Sequence, residues 1–99
     1  MTTWDEAKRL SNIESHKLDF EECDVIWDNF TITREDVREN YGEKRLVTFG
    51  LLHGSVVVLV YADRRKGPHI ISLRKAVKHE KRYYLEIAKD HFAACHLFS

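Results

Sequence analysis

Two arginines placed at strand ends, Arg64 and Arg74, are the residues of this chain best suited to handle an anion. A guanidinium is planar, stays charged at any working pH and matches two phosphoryl oxygens at once. Period-two alternation puts Ile70, Ser72 and Arg74 on one strand face and Ile71, Leu73 and Lys75 on the other, so the Ser72 hydroxyl is expected beside Arg74. Lys78 and Arg82, one helical turn apart, form a second cationic pair able to hold flanking phosphates. His16 belongs to the one side-chain type suited to proton exchange near neutrality, and Tyr61 could stack a base or donate a proton. Each has a plainer reading. Arg64 and Arg74 could simply solvate the sheet edge, Lys78 and Arg82 could form an ordinary polar helix face, His16 could cap a helix against its dipole, and Tyr61 could be a core tyrosine.

The charge distribution is divided between the two halves of the chain. Residues 1–43 carry 5 Lys/Arg against 12 Asp/Glu, residues 44–99 carry 11 against 4, and the whole chain is neutral. An acidic front and a basic back make nucleic acid the first candidate partner of the second half. Attraction between the two halves across the fold accounts for the split equally well. Metal binding is not expected: His91, Cys95 and His96 stand close in sequence, but three ligands at a chain end fall short of a closed tetrahedral site. Glycine-rich phosphate loops are absent, and no cofactor is expected.

These side chains must be positioned by one small domain. A chain of 99 residues with 43% apolar content has material for a single core. Cys23 and Cys95 stand 72 positions apart with no CxxC pair, which fits a reducing, cytoplasmic setting. No apolar run reaches the ~18 residues of a membrane span, and the opening residues do not read as a signal peptide. Thr3 to Glu6 reads as a capping box for a first helix ending near His16, with Trp4, Ala7, Leu10 and Ile13 as its apolar stripe. Asp19 to Glu22 starts a short second helix marked by Phe20, Cys23 and Trp27. Alternation then predicts a strand over Phe30 to Arg34, a loop over Glu35 to Lys44, and strands over Arg45 to Leu52 and Ser55 to Arg64 joined at His53-Gly54. The Val56 to Val60 run is apolar on both faces, as in a central strand. A turn at Arg65 to Pro68 precedes a strand over His69 to Arg74, and a last helix starts from Lys75, with Val77, Tyr84, Ile87 and His91 near one face. Fraying is expected over residues 91–99. The predicted class is α+β, in the order ααββββα.

Four blocks, in order, resemble the BrnT family of toxins. Trp4 to Phe20 is similar to its opening, which carries a WD, a Lys three positions on, an Asn, and a His before a hydrophobic-x-Phe ending. Arg38 to Arg45 is similar to its RxxYGExR stretch, Ser55 to Arg64 to its apolar strand ending in Tyr and Arg, and Ile70 to Ala76 to its IISxRxA signature. Glu80 and Tyr84 also match, so the resemblance spans about Trp4 to Tyr84. Ser15-His16-Lys17 departs from the usual Lys-His-Gly. Val77 stands where the family often has the Thr of a Thr-x-x-Glu capping box, so the last helix is expected to start a residue or two away.

The resemblance implies a RelE-like fold, a small antiparallel sheet with helices packed on it. It also implies the toxin half of a type II toxin–antitoxin pair: a metal-independent endoribonuclease that cleaves RNA and arrests translation. Its partner would be a ribbon-helix-helix, BrnA-like antitoxin, with a dimer expected within that complex. Metal-free RNA cleavage drives a 2′-hydroxyl into its neighbouring phosphorus and needs a proton acceptor, charge stabilisation and a proton donor. The expected roles are Arg74 and Arg64 on the developing charge with Lys78 assisting, His16 as proton carrier, and Lys8, Tyr61, Ser72 and Arg82 as RNA contacts. Asp5, also within the matched opening, is explained by a helix-start contact alone.

Overall fold

The computed structural model describes residues 2–97, with side chains described through residue 91. The chain is α+β. It runs β1 (Thr3–Trp4), α1 (Glu6–His16), a 3-10 helix (Phe20–Asp28), β2 (Ile32–Glu35), β3 (Arg45–Leu52), β4 (Ser55–Arg64), β5 (Gly67–Lys75) and α2 (Lys78–Leu97). The five strands form one sheet in the order β1-β5-β4-β3-β2. Three pairs are antiparallel, and β1 lies parallel to β5, so the sheet is mixed rather than purely antiparallel. Among the described residues no helix is long and apolar enough to cross a membrane. The segment expected to fray has its side chains beyond His91 outside the described residues, and these include Cys95 and His96.

The start of the chain corrects the expected capping box. Thr3 and Trp4 pair with His69 and Ile70 as a strand, and Asp5 is the N-cap, accepting from the amides of Ala7 and Lys8. Two hydrogen bonds to orphan amides outcompete the Thr3–Glu6 exchange, and the Thr3 hydroxyl instead meets His69 Nδ1 at 2.8 Å. The predicted apolar stripe of α1 is also revised. Leu10 is 55% exposed, while the polar Asn12 is buried at 6%. Its amide donates to the carbonyls of Leu18 (2.9 Å) and Leu73 (2.8 Å) and accepts from the Leu73 amide (3.1 Å). Beyond the two-residue β1, Asn12 thus satisfies the outer edge of β5 as a further strand would.

The second helix is 3-10 rather than α, and its sequence shows why. Phe20, Cys23 and Ile26 are all buried at a spacing of three, which puts one residue per turn on the sheet when there are three residues per turn. Its Ile26 presses on the middle of β3: a Cβ on Gly50 would lie 2.5 Å from Ile26 Cγ2, so this close approach requires glycine.

β4 is the middle strand, as its doubly apolar run predicts. Val57, Leu59 and Tyr61 join Phe20, Cys23, Ile26, Ile70 and Leu73 in the core beneath the 3-10 helix. Val56 and Val58 join Phe49, Ala76, Tyr84 and Ala88 beneath α2. The β3–β4 hairpin turns on His53 and Gly54, both with positive φ, as a two-residue loop of matching twist requires. Strict alternation along β5 fails at a bulge opposite Val60 and Tyr61. Ile70 and Leu73, three apart, therefore share one core, and Ile70 does not lie on the Arg74 face.

The last helix starts at Lys78 although Val77 cannot supply a capping hydroxyl. The other half of the box survives, because Glu80 accepts from the Val77 amide at 2.9 Å. Tyr84 and Ala88, rather than Val77, form the buried face, with His91 packed on the Phe30 ring. Val77 is half exposed.

Candidate active site

Antiparallel pairing decides where the two strand-end arginines go. Arg64 sits opposite Gly67 and Arg74 opposite Val58, so the two lie at opposite ends of the β4–β5 pair, about 20 Å apart along the strands at ~3.3 Å per residue. They do not converge, and the expected two-arginine site is corrected. The physical reason is that both residues end their strands in the same chain sense, while neighbouring strands run oppositely. Arg64 pairs with Glu43 through Nε and Nη2.

Arg74 is held differently. Its Nη1 and Nη2 donate to the two oxygens of Glu80 at 2.7 and 2.9 Å, and Nη1 also reaches the Lys75 carbonyl. Glu80 stands in the first turn of α2 and takes the Val77 amide as well. These contacts occupy the terminal edge of the guanidinium. The lateral edge, made by Nε–H and the second Nη2 hydrogen, has no partner among the described residues and remains a two-donor fork.

Arg74 lines a cleft of about 250 Å³ on the α2 side of the sheet. The floor is apolar, made by Val47, Val58 and Val60, and Arg34, Arg38 and Arg74 stand around it with the carboxylates Glu35, Asp36 and Glu80. Arg34 on β2 lies opposite Val47 of β3 and Arg74 on β5 opposite Val58 of β4, so the walls are three strand spacings apart, about 14 Å. The Arg34 guanidinium lies 5.5 Å from the centroid of the Tyr83 ring. Arg38 is clamped by Asp36, whose buried carboxylate also takes the Tyr41 hydroxyl. At the α2 mouth the lining continues through His79 and Tyr83. Three arginines, a proton-exchanging residue type and the first turn of a 20-residue helix thus line two adjoining clefts that share Arg34, Phe49 and Glu80.

The other expected residues are distributed as follows. Lys8, His16 and Ser72 do come together, with Ser11, Ser15 and Ile71, in a second cleft of about 250 Å³ between α1 and β5. Arg74 does not line it, so Ser72 and His16 are not its immediate companions. Tyr61 is 7% exposed, with its hydroxyl 3.0 Å from Thr48 and its ring edge-on to Trp27. It is a core tyrosine, closed to a base. Lys78 and Arg82 stand on the outer face of α2 with Lys81, Leu85 and Lys89. The helix turns His79, Glu80 and Tyr83 to the cleft instead.

Sequence reasoning missed Arg34, His79 and Tyr83 and gave Arg38 and Glu80 no role at the site. Their signal was present in part, since Arg34 shares the alternation of Ile32 and thus the α2 face, and Arg38 and Glu80 lie in the matched blocks.

The Glu80–Arg74 pair has a pH consequence. Hydrogen bonds from Arg74, then from Val77, hold the Glu80 carboxyl down at about 2 from its usual 4.5, and Arg38 likewise holds Asp36 at about 2 from 3.8. Both groups bind fewer protons folded than unfolded, so their stabilisation is complete above pH ~4.5 and disappears as pH falls through ~2. Urea midpoints measured from pH 7 to 2 should drop through that window. Glu80→Gln should flatten the drop; an unchanged slope would show that the pair contributes nothing to acid stability.

Residues 4–80 match the family described as "Ribonuclease toxin, BrnT, of type II toxin-antitoxin system". None of the curated proteins matches the chain. The matched segment runs from β1 through β5 to Glu80, the carboxylate that orients Arg74, and leaves Tyr83 outside it. On that match, across more than three quarters of its length, the chain belongs to the BrnT family of ribonuclease toxins from type II toxin–antitoxin systems.

Proposed function

We propose that this toxin is a metal-independent endoribonuclease whose reacting phosphate sits in the Arg34–Arg38–Arg74 cleft. The observation that carries this reading is the open lateral fork of Arg74, fixed from behind by Glu80 at the edge of an apolar-floored cleft. In such a site the 2′-hydroxyl attacks the adjacent phosphorus, its proton passes to a base, and the departing 5′-oxygen takes a proton. The products are a 2′,3′-cyclic phosphate and a 5′-hydroxyl. The negative charge that builds on the non-bridging oxygens is met by Arg74, with Arg34 and Arg38 adding donors that need no reorganisation. His79, at the cleft mouth, is the proposed proton carrier. Glu80 is a positioning residue: a carboxylate held near pKa 2 is too weak a base to take the proton near neutrality.

Lys8, His16 and Ser72 are assigned to a neighbouring phosphate of the same strand, across the β5 edge from Arg74. Lys78 and Arg82 are placed along its flank, and Arg64 is left to the Glu43 pair at the far end of the sheet. The family's protein antitoxin is proposed to be of the ribbon-helix-helix type, to cover the Arg74 cleft with acidic elements over about 1,200 Å² or more, and to bring toxins together as a dimer. The five-stranded sheet with helices on both faces is compatible with a RelE-like ancestry.

Purified protein incubated with total RNA, with and without EDTA, tests the reaction. Cyclic-phosphate fragments should accumulate equally in both samples. Cleavage abolished by EDTA would remove the metal-free mechanism, and intact RNA would favour a binding module on the same fold.

A further inference from the structure

Beside the phosphate cleft, and sharing Arg38 with it, lies an open trough of about 540 Å³ framed by residues 35–45. Its construction is specific. The Arg45 guanidinium carbon lies over the Tyr41 ring, 3.9 Å from the centroid. Tyr41 is fixed in turn by its hydroxyl on the buried Asp36 carboxylate. An Asx turn, in which Asn40 takes the Gly42 amide, and the positive φ of Gly42 shape the loop around this pair. Arg45 Nε is buried without a hydrogen-bond partner among the described residues, an unsatisfied polar atom within the loop that calls for an explanation.

Two features separate this trough from a phosphate site. It presents a stacked planar platform, and its lining carries Glu35, Asp36, Glu39 and Glu43 against Arg38, Lys44 and Arg45. With no net positive charge, this lining suits a neutral ligand better than a phosphate. A nucleobase is uncharged and stacks on aromatic and guanidinium planes. Among the four bases, guanine alone combines an acceptor pair, O6 and N7, suited to arginine with a donor edge, N1–H and the 2-amino group, suited to a carboxylate.

We infer that the Tyr41–Arg45 platform is a guanine-selective base subsite next to the scissile phosphate; this rests on the RNA-cleaving reading of the Arg74 cleft. The test is equilibrium binding, by fluorescence anisotropy, of the purified toxin to fully 2′-O-methylated oligouridylates carrying one central guanine, adenine or 7-deazaguanine. The methylated strands cannot be cleaved, so the result does not depend on turnover. Guanine should bind about tenfold or more tighter than adenine, and 7-deazaguanine should lose most of that advantage. Tyr41→Leu should bring guanine and adenine level, whereas Arg74→Ala should weaken all strands alike and leave their ratio intact. Equal affinities of the unaltered protein for guanine and adenine strands would overturn the inference, as would binding that follows only strand length and salt. The substrate series needs no variant, so a misfolded Tyr41→Leu protein would not leave the question open. Failure of the cleavage reading is distinct: base selectivity would persist while all-ribose strands stayed intact.

Discussion

Arg74→Ala is expected to lower the rate of RNA cleavage by about 10²- to 10³-fold, the usual loss when one preorganised charge-stabilising donor is removed from a phosphoryl or acyl transfer site. The expectation rests on geometry more than on charge. Glu80 grips the terminal edge of the guanidinium and leaves the lateral edge free of a described partner, on a residue that lines the cleft. Arg74→Lys should therefore recover little activity, because an ammonium keeps the charge but cannot offer two parallel donors while still bridging to Glu80. Truncation also strands Glu80, whose carboxylate is largely buried. The double variant Arg74→Ala/Glu80→Gln controls for this by removing the orphaned charge. Single-turnover cleavage of a labelled oligoribonucleotide, together with a thermal melt of each variant, separates lost chemistry from lost fold. A folded Arg74→Ala protein that cleaves at the original rate would take this residue out of the reaction.

The second large effect concerns stability. Asn12→Ala should destabilise the protein by about 3–5 kcal/mol. It would leave the Leu18 carbonyl and both backbone groups of Leu73 without their partner, and each buried unsatisfied group costs about 1–3 kcal/mol. Against a typical total of about 5–15 kcal/mol, that is a substantial fraction. Asn12→Asp keeps the volume but replaces the donating amide with an acceptor facing two carbonyls, so it should be about as harmful. Urea unfolding with an unchanged m-value is the measurement. Midpoints within experimental error of the parent for both variants would mean that α1 is held on β5 by something else. The same contact positions the Lys8–His16–Ser72 cleft, because Asn12 also lines its wall.

Much of the scaffold was legible because it is written in local patterns. β3 and β4 start and end where alternation and the His53-Gly54 signal place them. The doubly apolar Val56 to Val60 run marked the middle strand. Other features were hidden because they depend on partners distant in sequence. Thr3 and Trp4 are strand only because His69 and Ile70 lie alongside. Asn12 is buried only because Leu73 lies 61 residues on, ready to bond it. The bulge that returns Ile70 to the core beneath the 3-10 helix has no local signature in the run Ile70 to Arg74.

The site divides along the same line. The four ordered blocks by themselves pointed to a BrnT-type toxin, the family that the match over residues 4–80 shows, and Arg74 was the leading candidate among its cations. Only the tertiary structure decided which cations accompany it. Antiparallel pairing carried Arg64 to the other end of the sheet, and the helical rotation of α2 turned Lys78 and Arg82 outward and His79, Glu80 and Tyr83 inward. Sequence spacing specifies which face of its own element a side chain occupies. The distance between faces of different elements is set by register and packing, and those exist only once the chain has closed on itself.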